Sequence, residues 1–337
     1  MKHSAGLQEV AVAVLLLAVA AGAFAQATSP FDKSSGGSGQ AWPAKPVRII
    51  VPFGTGGGTD IQGRLLSKKF YESMGQTFVI ENRTGAGGMI GAEVAAKAPA
   101  DGYTILFTTA SLAVGASLYP KLAFDPLKDL TPVSWVSSVP LVLVVHPSVP
   151  AKSVKELVAL AKARKGQMNA GSNGSGTTSH LALELLRDTA GIQFTHVPYK
   201  GGGPATTALI SGEVDFLFTT ILTAYGQVKA GRLRALAVST AKRSSIAPEL
   251  PTMAETFPGF EIDNWYAMFV PAGTPKEIVT KLHAELIKAI KSPEVLDFMK
   301  RDGADPVGST PEELAAYYAK EVQKYARIIK QGNVKAE

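Results

Sequence analysis

From residue 47 onward the chain alternates short apolar runs with stretches whose apolar positions recur every three or four residues. Val47-Arg48-Ile49-Ile50-Val51 is a β-rich run ended by Pro52 and predicts a strand. Turn-forming glycines follow, and then Ile61, Leu65, Leu66 and Phe70 fall on one side of a helix closed by Gly75. Thr77-Phe78-Val79-Ile80 predicts a second strand, the stretch from Gly91 to Ala98 a helix, and Tyr103-Thr104-Ile105-Leu106-Phe107 a third strand. Leu141-Val142-Leu143-Val144-Val145 predicts another, bounded by Pro140 and Pro147. Short apolar strands alternating with helices predict an α/β fold with parallel sheets covered on both faces.

Helix starts are marked by three candidate capping boxes: Ser153-Val154-Lys155-Glu156, Thr274-Pro275-Lys276-Glu277 and Thr310-Pro311-Glu312-Glu313. The last two carry proline where the first helical residue is expected. Such boxes set helix ends and carry no chemistry. Helices at about 275–291 and 311–331 are amphipathic and are expected on the outside of a lobe. No internal repeat is visible.

The N-terminal residues have a different pattern. Lys2 and His3 precede an apolar run from Val10 to Phe24, and Ala23-Phe24-Ala25 has the form of an A-x-A cleavage site before Gln26. This predicts a secretory signal peptide over residues 1–25, cut near Ala25 and directing the chain to the periplasm. Glu9 is unusual before the apolar run, and an uncleaved anchor is the alternative, although the run is short for a span of roughly 20 residues. Residues 26–40 are polar and rich in Gly and Ser, and read as a flexible leader. Order is expected from Trp42-Pro43-Ala44-Lys45-Pro46.

The chain has no cysteine. An exported chain without disulfides relies on its core, and roughly 300 residues bury enough surface for two domains. Thiolate metal sites, cysteine nucleophiles and a lipid-anchored N-terminal cysteine are excluded as well. The net charge is +6, and Lys2 and Glu9 cancel, so the chain after the signal peptide keeps that charge. Lys and Arg are spread without a dense run, which argues against a nucleic-acid partner. The charge suits either steering of an anionic ligand or plain solubility.

Four small, glycine-rich polar segments are the candidate chemistry. They are Pro52-Phe53-Gly54-Thr55-Gly56-Gly57-Gly58-Thr59-Asp60, Thr108-Thr109-Ala110-Ser111, Gly171-Ser172-Asn173-Gly174-Ser175-Gly176-Thr177-Thr178-Ser179-His180, and Tyr199-Lys200-Gly201-Gly202-Gly203-Pro204. Three lie where a strand gives way to a helix. Glycine lets backbone approach a ligand, and the free N–H groups of a helix start carry partial positive charge. Together they bind an anion such as a carboxylate without a charged side chain. Each segment alone is equally a tight turn, and Thr59 or Asp60 equally an N-cap.

Enzyme motifs are missing. Gly54-Thr55-Gly56-Gly57-Gly58-Thr59 has Thr where the dinucleotide fingerprint needs its third Gly, and neither a phosphate loop nor a nucleophile elbow is present. His146, His180, His196 and His283 lack metal-ligand spacing, so no metal or cofactor is expected. His180 either lines the cleft or packs at a helix start. Trp135, Trp265 and Tyr266 could stack on a ligand, with core or hinge packing the default for each.

Several of these segments together resemble the Bug family, the substrate-binding components of tripartite tricarboxylate transporters. The resemblance opens with Val47-Arg48-Ile49-Ile50-Val51-Pro52-Phe53 and Gly57-Gly58-Thr59-Asp60. It continues through Glu81-Asn82-Arg83-Thr84-Gly85-Ala86-Gly87-Gly88, Asp101-Gly102-Tyr103-Thr104 and Val145-His146-Pro147-Ser148. It also takes in Gly176-Thr177-Thr178-Ser179-His180-Leu181, His196-Val197-Pro198-Tyr199-Lys200-Gly201 and Lys229-Ala230-Gly231-Arg232-Leu233-Arg234-Ala235-Leu236-Ala237, and ends with Pro271-Ala272-Gly273-Thr274-Pro275 and Pro306-Val307-Gly308-Ser309-Thr310-Pro311-Glu312.

The resemblance implies a two-lobed type II periplasmic-binding-protein fold, a Venus flytrap closing on a ligand between its lobes. It implies that the loop at 53–60 on one lobe faces loops near 175–180 and 200–205 on the other. It implies a ligand carboxylate held by backbone amides and hydroxyls, with ordered waters bridging it to the first lobe. After Gly212-Glu213-Val214-Asp215-Phe216-Leu217-Phe218, many members carry Asp-Asn where this chain has Thr219-Thr220. Threonine cannot pair with a ligand amine, so Thr219 favours a plain carboxylate, dicarboxylate or aromatic acid over an amino acid.

The expected organisation is a first lobe of 41–139 and 241–337 and a second lobe of 140–240. The expected ligand contacts are Phe53, Thr55, Gly56, Gly57, Gly58, Thr59, Asp60, Thr108, Thr109, Ser111, Ser175, Gly176, Thr177, Thr178, Ser179, His180, Lys200, Gly201, Gly202, Gly203 and Thr219. The chain is expected to act as a monomer, to close on its ligand and to dock on membrane permease subunits. A sensory protein presenting the same ligand to a membrane receptor, or a hydrolase or isomerase using the same cleft, are the rivals.

Overall fold

A computed structural model describes residues 42–244, 247–331 and 334–335. The expected signal peptide and leader lie outside the described residues. The strands are β1 (Val47–Val51), β2 (Phe78–Asn82), β3 (Thr104–Thr109), β4 (Leu130–Val145), β5 (Asn169–Ser172), β6 (Thr195–Pro198), β7 (Phe216–Thr220), β8 (Arg234–Val238), β9 (Asp263–Pro271) and β10 (Asp305–Pro306). The α-helices are α1 (Gly58–Met74), α2 (Met89–Ala96), α3 (Ser111–Leu118), α4 (Val154–Arg164), α5 (Thr178–Ala190), α6 (Gly202–Ser211), α7 (Ile221–Lys229), α8 (Lys276–Ile290), α9 (Pro293–Asp302) and α10 (Pro311–Gln331).

Two sheets share one strand. The first runs β2-β1-β3-β9-β4, with β10 on β4 at Ser137 and Ser138. The second joins β4 to β8 and to β7-β5-β6. Residues Leu130 to Pro140 of β4 pair with β9, and Leu141 to Val145 pair with β7. The chain therefore passes from one α/β lobe to the other along a single extended strand at Pro140–Leu141.

Parallel pairing, expected throughout, is confined to β1 with β2 and β3 and to β5 with β6 and β7. The centre is antiparallel: β9 lies against both β3 and β4, and β4 against β7 and β8. The early half of β4 is hidden in the sequence by Pro132 and Pro140, which cannot donate to a ladder. Pro132 is accommodated beside a register shift between Pro132 and Ser134.

Apolar strands are buried on both faces, which is why they read as continuous runs. Ile49 and Val51 of β1 join a core with Phe107, Met268 and Leu286, while Ile50 between them faces the opposite side. Along β4, Leu141, Leu143 and Val145 face one cluster and Val142 and Val144 the other, the period-two alternation of a strand. Helix α10 covers the crossover. Trp135 stacks on Tyr317 at 4.1 Å between ring centroids, the Trp265 indole N–H donates to Glu321 at 3.3 Å, and the Tyr325 hydroxyl donates to the Asp263 carbonyl at 2.9 Å. Trp135 and Trp265 thus have the packing role that was their default.

Helix ends follow the sequence unevenly. Thr310 and Glu313 form a full capping box, with bonds of 3.2 Å and 2.8 Å. Ser153 accepts from the Glu156 N–H, but the Glu156 carboxylate reaches Lys152 instead, so that box is half made. The box expected at Thr274 does not form. The Thr274 hydroxyl donates to the Pro271 carbonyl at 2.7 Å, closing the turn after β9, and Pro275 becomes the N-cap of α8. Helix α1 starts three residues before Ile61 with Gly57 as its N-cap, so Thr59 and Asp60 lie inside its first turn and are not caps.

Candidate ligand-binding site

A small cavity of about 30 Å³ lies between the lobes. The first lobe contributes Phe53, Gly57, Gly58, Thr59, Thr109, Ser111, Asn264 and Tyr266. The second contributes Asn173, Thr177, Thr178, Gly202, Thr220 and Thr223. Most of these residues belong to helix starts. Gly57 caps α1, Thr177 caps α5 and Thr220 caps α7; Ser111 and Gly202 are the first residues of α3 and α6. Five helix N-termini therefore open onto one small space, and none of the lining residues carries an ionised side chain. Four of these positive dipole ends have no acidic residue in their first turn, whereas α1 has Asp60 in its own.

The loop at 53–60 is shaped by a buried carboxylate. Asp60 is 2% exposed. It accepts hydrogen bonds from the Gly56 N–H, Arg64 Nε and Asn82 Nδ2, each at 3.0 Å. The same Asn82 amide donates to the Phe53 carbonyl at 2.9 Å. Burial would push the Asp60 carboxyl up, but the bonds from Arg64, Gly56 and Asn82 outweigh it and hold the group below its ordinary range. Asp60 turns its charge away from the cavity and into the loop.

The loop at 172–180 is shaped by hydroxyls and imidazoles. Ser172 Oγ accepts from the Gly174 N–H at 3.1 Å, and Thr177 Oγ1 donates to the Gly174 carbonyl at 2.7 Å. Ser179 Oγ donates to the Phe218 carbonyl on β7. His180, 2% exposed, accepts from the Gly176 N–H on Nδ1 at 3.2 Å.

The lobes touch through backbone and short side chains. The Gly54 N–H donates to the Lys200 carbonyl at 2.6 Å, the Tyr119 hydroxyl to the Ser175 carbonyl at 3.2 Å, and Thr178 Oγ1 to Asn264 Oδ1 at 3.1 Å. Tyr266, fully buried, bonds through its hydroxyl to Thr59 and Thr220, and burial pushes its phenol up so that it stays neutral. Two glycines are required by this approach: a Cβ on Gly203 would lie 2.5 Å from the Thr55 carbonyl oxygen, and one on Gly54 would lie 2.6 Å from that of Lys200. Thr219 Oγ1 and Asn173 Oδ1 are buried without a hydrogen-bond partner. Both sit beside Gly202, 3.1 Å and 3.5 Å from where its Cβ would be.

Of the expected contacts, the structure brings Phe53, Gly57, Gly58, Thr59, Thr109, Ser111, Thr177, Thr178 and Gly202 to the cavity wall. Thr55, Gly56 and Gly203 line a larger open groove at one edge of the lobe boundary, and Ser175 and Lys200 line another with Phe53. Asp60, Ser179 and His180 stand behind the wall and shape it. Thr108 is a buried β3 residue paired with Ala267, and Thr219 stands beside Gly202 outside the lining. Gly176 and Gly201 set turns, with φ of 78° and 123°.

Asn173, Thr220, Thr223, Asn264 and Tyr266 complete the wall from outside the expected contacts; Asn173 lies in a marked segment, and Tyr266 was a stacking candidate with packing as its default. A strand ending in Thr219-Thr220 before a helix is a usable signal for Thr220. Asn264 has none and Tyr266 only its aromatic ring, because antiparallel β9 brings them in from far along the chain. No cluster of metal-ligating side chains occurs among the described residues.

Residues 63–334 match the Tripartite tricarboxylate transporter family receptor. The chain is 39% identical over 301 residues to Protein BugT of Bordetella pertussis, covering 88% of this chain and 92% of that one. Its fold superposes on R. palustris Rpa4515, solved with adipate, with a TM-score of 0.85, 35% identity, and coverage of 88% and 99%. MatC (Rpa3494) from Rhodopseudomonas palustris, solved with bound malate, gives a TM-score of 0.82, 31% identity, and coverage of 86% and 100%. A two-lobed α/β fold, a cleft walled by helix starts and a match over most of its length identify this chain as a member of the tripartite tricarboxylate transporter receptor family, the Bug-type periplasmic solute-binding proteins.

Proposed function

We propose that this protein captures a small carboxylate anion by closing its two lobes, and delivers it to the membrane subunits of a tripartite transporter. The observation that carries the reading is the convergence of five helix N-termini on a cavity whose lining holds no ionised side chain. Such a wall offers hydrogen-bond donors and positive potential to an anion and nothing to neutralise a cation. The adipate and malate bound by the two relatives support the same ligand class.

The ligand is bound by Gly57, Gly58, Thr59, Thr109 and Ser111 from one side and by Asn173, Thr177, Thr178, Gly202 and Thr220 from the other. The lobes that move are 41–139 with 241–337, and 140–240. The crossover of β4 at Pro140–Leu141 and the return between β8 and β9 support those boundaries. Closure is driven by contacts the ligand makes with both lobes at once. Export through a signal peptide cut near Ala25 completes the route. With no carboxylate in the wall to receive an ammonium group, the ligand is a plain acid, dicarboxylate or aromatic acid in preference to an amino acid.

Thermal shift of the folded, ligand-free protein against mono-, di- and tricarboxylates, aromatic acids and amino acids tests this. A ligand at 100 times its dissociation constant adds about 2.7 kcal/mol, a shift of a few degrees. The expected result is a shift with one or more plain acids. A shift with aspartate or glutamate alone would overturn the preference for plain acids. The absence of a shift with every acid would overturn the carboxylate reading.

A further inference from the structure

Among the described residues, six buried side-chain polar atoms have no hydrogen-bond partner, and two of them meet at one place. Thr219 Oγ1 and Asn173 Oδ1 both flank Gly202, the first residue of α6. Thr219 Oγ1 lies 3.1 Å, Thr223 Oγ1 3.4 Å and Asn173 Oδ1 3.5 Å from the point where a Cβ of Gly202 would stand. The Thr223 hydroxyl is engaged with that of Thr220 at 2.8 Å. The other two oxygens are unpaired, although Thr219 is fully buried. Such atoms are rare in a folded chain, because each has given up water without a replacement.

Both residues are held in place by the fold. Thr219 pairs in β7 with Val142 of β4. Asn173 follows β5, and its backbone N–H donates to Ser179 Oγ at 3.3 Å. Gly202, Thr223 and Asn173 line the cavity, with Thr219 beside them. All four belong to the second lobe, so their arrangement does not depend on how far the lobes part. Gly57 faces them from the first lobe. A Cβ on Gly57 would lie 3.4 Å from the Gly202 nitrogen and 3.5 Å from that of Gly203, so glycine there keeps the approach to the first amides of α6 open. Those amides have no partner within the helix.

The place makes two different demands on a ligand. The amides need an acceptor, which a carboxylate supplies. Asn173 Oδ1 is itself an acceptor and needs a hydrogen, which an ionised carboxylate lacks. The Thr219 hydroxyl can donate or accept. A ligand hydroxyl meets both needs: it donates to Asn173 Oδ1 and accepts from Thr219 Oγ1. An ammonium group could donate to Asn173, but it cannot accept from Thr219, and it would bring a cation to a helix N-terminus. The amides and the two oxygens surround the same glycine, so the carboxylate and the hydroxyl are neighbours on the ligand.

We propose that Thr219 and Asn173 are specificity-determining residues that hold a ligand hydroxyl, so that the acid captured in the cleft is a 2-hydroxy acid. This narrows, and rests on, the reading of the cleft as an anion site.

The test is calorimetry at pH 7.5 with pairs of acids that differ only in the hydroxyl: malate and succinate, lactate and propionate, 2-hydroxyadipate and adipate, each hydroxy acid in both enantiomers. At that pH the carboxyl groups are ionised in every probe. Wild type should bind at least one hydroxy acid about tenfold or more tighter than its partner. Thr219→Val keeps the side-chain shape without the hydroxyl and should bring that ratio to within about twofold. Thr219→Ser returns the hydroxyl and should restore the preference.

A ratio near one in wild type for every pair that binds would overturn the proposal, as would a preference that survives in Thr219→Val. Tighter binding of aspartate than of malate would overturn it too. The wild-type ratios decide the matter even if a variant fails to fold. Equal binding of hydroxy and deoxy acids would leave the anion reading standing, whereas failure of every acid to bind would overturn that reading and this one with it.

Discussion

The two loops that face each other across the cleft, 53–60 and 172–180, are held by different chemistry. The first is braced by a permanent charge: Asp60, held ionised by Arg64, the Gly56 N–H and Asn82. The second is braced by the hydroxyls of Ser172 and Thr177 and by the imidazoles of His180 and His196. Both braces turn away from the cavity, so each wall presents backbone and hydroxyls to a ligand. What differs is the charge in the brace. Asp60 is an ionised carboxylate held below its ordinary range by Arg64, Gly56 and Asn82, whereas the second loop is held by bonds among short hydroxyls, imidazole nitrogens and backbone.

The largest expected effect comes from removing the charged brace. Asp60→Ala takes the acceptor from the Gly56 N–H, one of two acceptors from the Asn82 amide, and the ion-pair partner from half-exposed Arg64. The loss of stability should be about 2–3 kcal/mol by urea unfolding at pH 7. Because the folded-state value of Asp60 is depressed, its contribution is complete above the unfolded value of about 3.9 and is lost as pH falls through the folded one. The difference between wild type and variant should stay constant from pH 8 to pH 5 and shrink only below about pH 4. A difference that shrinks already at pH 6 would break the contrast between the walls.

Ser172→Ala is the matching change in the second wall. It takes the acceptor from the Gly174 N–H and one bond from His196. A loss of about 1–2 kcal/mol is expected at pH 7.5 by the same unfolding measurement. This loss should be smaller than that of Asp60→Ala, because no charged partner is left behind. Equal losses in the two variants would show the braces to be equivalent.

Tyr266→Phe has the smallest effect and probes the join between the walls. It removes the hydroxyl that touches Thr59 on one side and Thr220 on the other, with the ring left in place. Affinity for the acid chosen by thermal shift should weaken about fivefold by calorimetry, about 1 kcal/mol, with the same factor at pH 6 and pH 8 because the phenol stays neutral throughout.

Much of this protein is legible in its residue pattern. The run Val47–Val51 is a strand to the residue, and the helix it precedes ends at Gly75 as the left-handed cap predicts. Glycine-rich strand-to-helix junctions are local features, and they mark Gly57, Gly58, Thr177 and Gly202 because the turn itself demands small residues. The signal fails where a residue is placed by pairing instead of by its neighbours. Tyr266 and Asn264 look like ordinary strand residues, and only the antiparallel pairing of β9 with β3 and β4 carries them to the cleft. Asp60 and His180 show the opposite failure. Each sits in a marked segment, yet which way its side chain points is decided by partners at Asn82 and His196, outside the segment.

Alone, the sequence determined the alternation of strands and helices, the small-residue loops at their junctions and the absence of thiol chemistry, since these depend on local conformational preference and composition. The tertiary structure decided that the central strands run antiparallel, that β4 serves both lobes, and that five separate helix starts meet in one cavity. It also decided that the charged and titratable side chains of the marked loops stand behind the wall. Those outcomes rest on long-range pairing and burial, and the free energy of either is set by residues far apart in the chain.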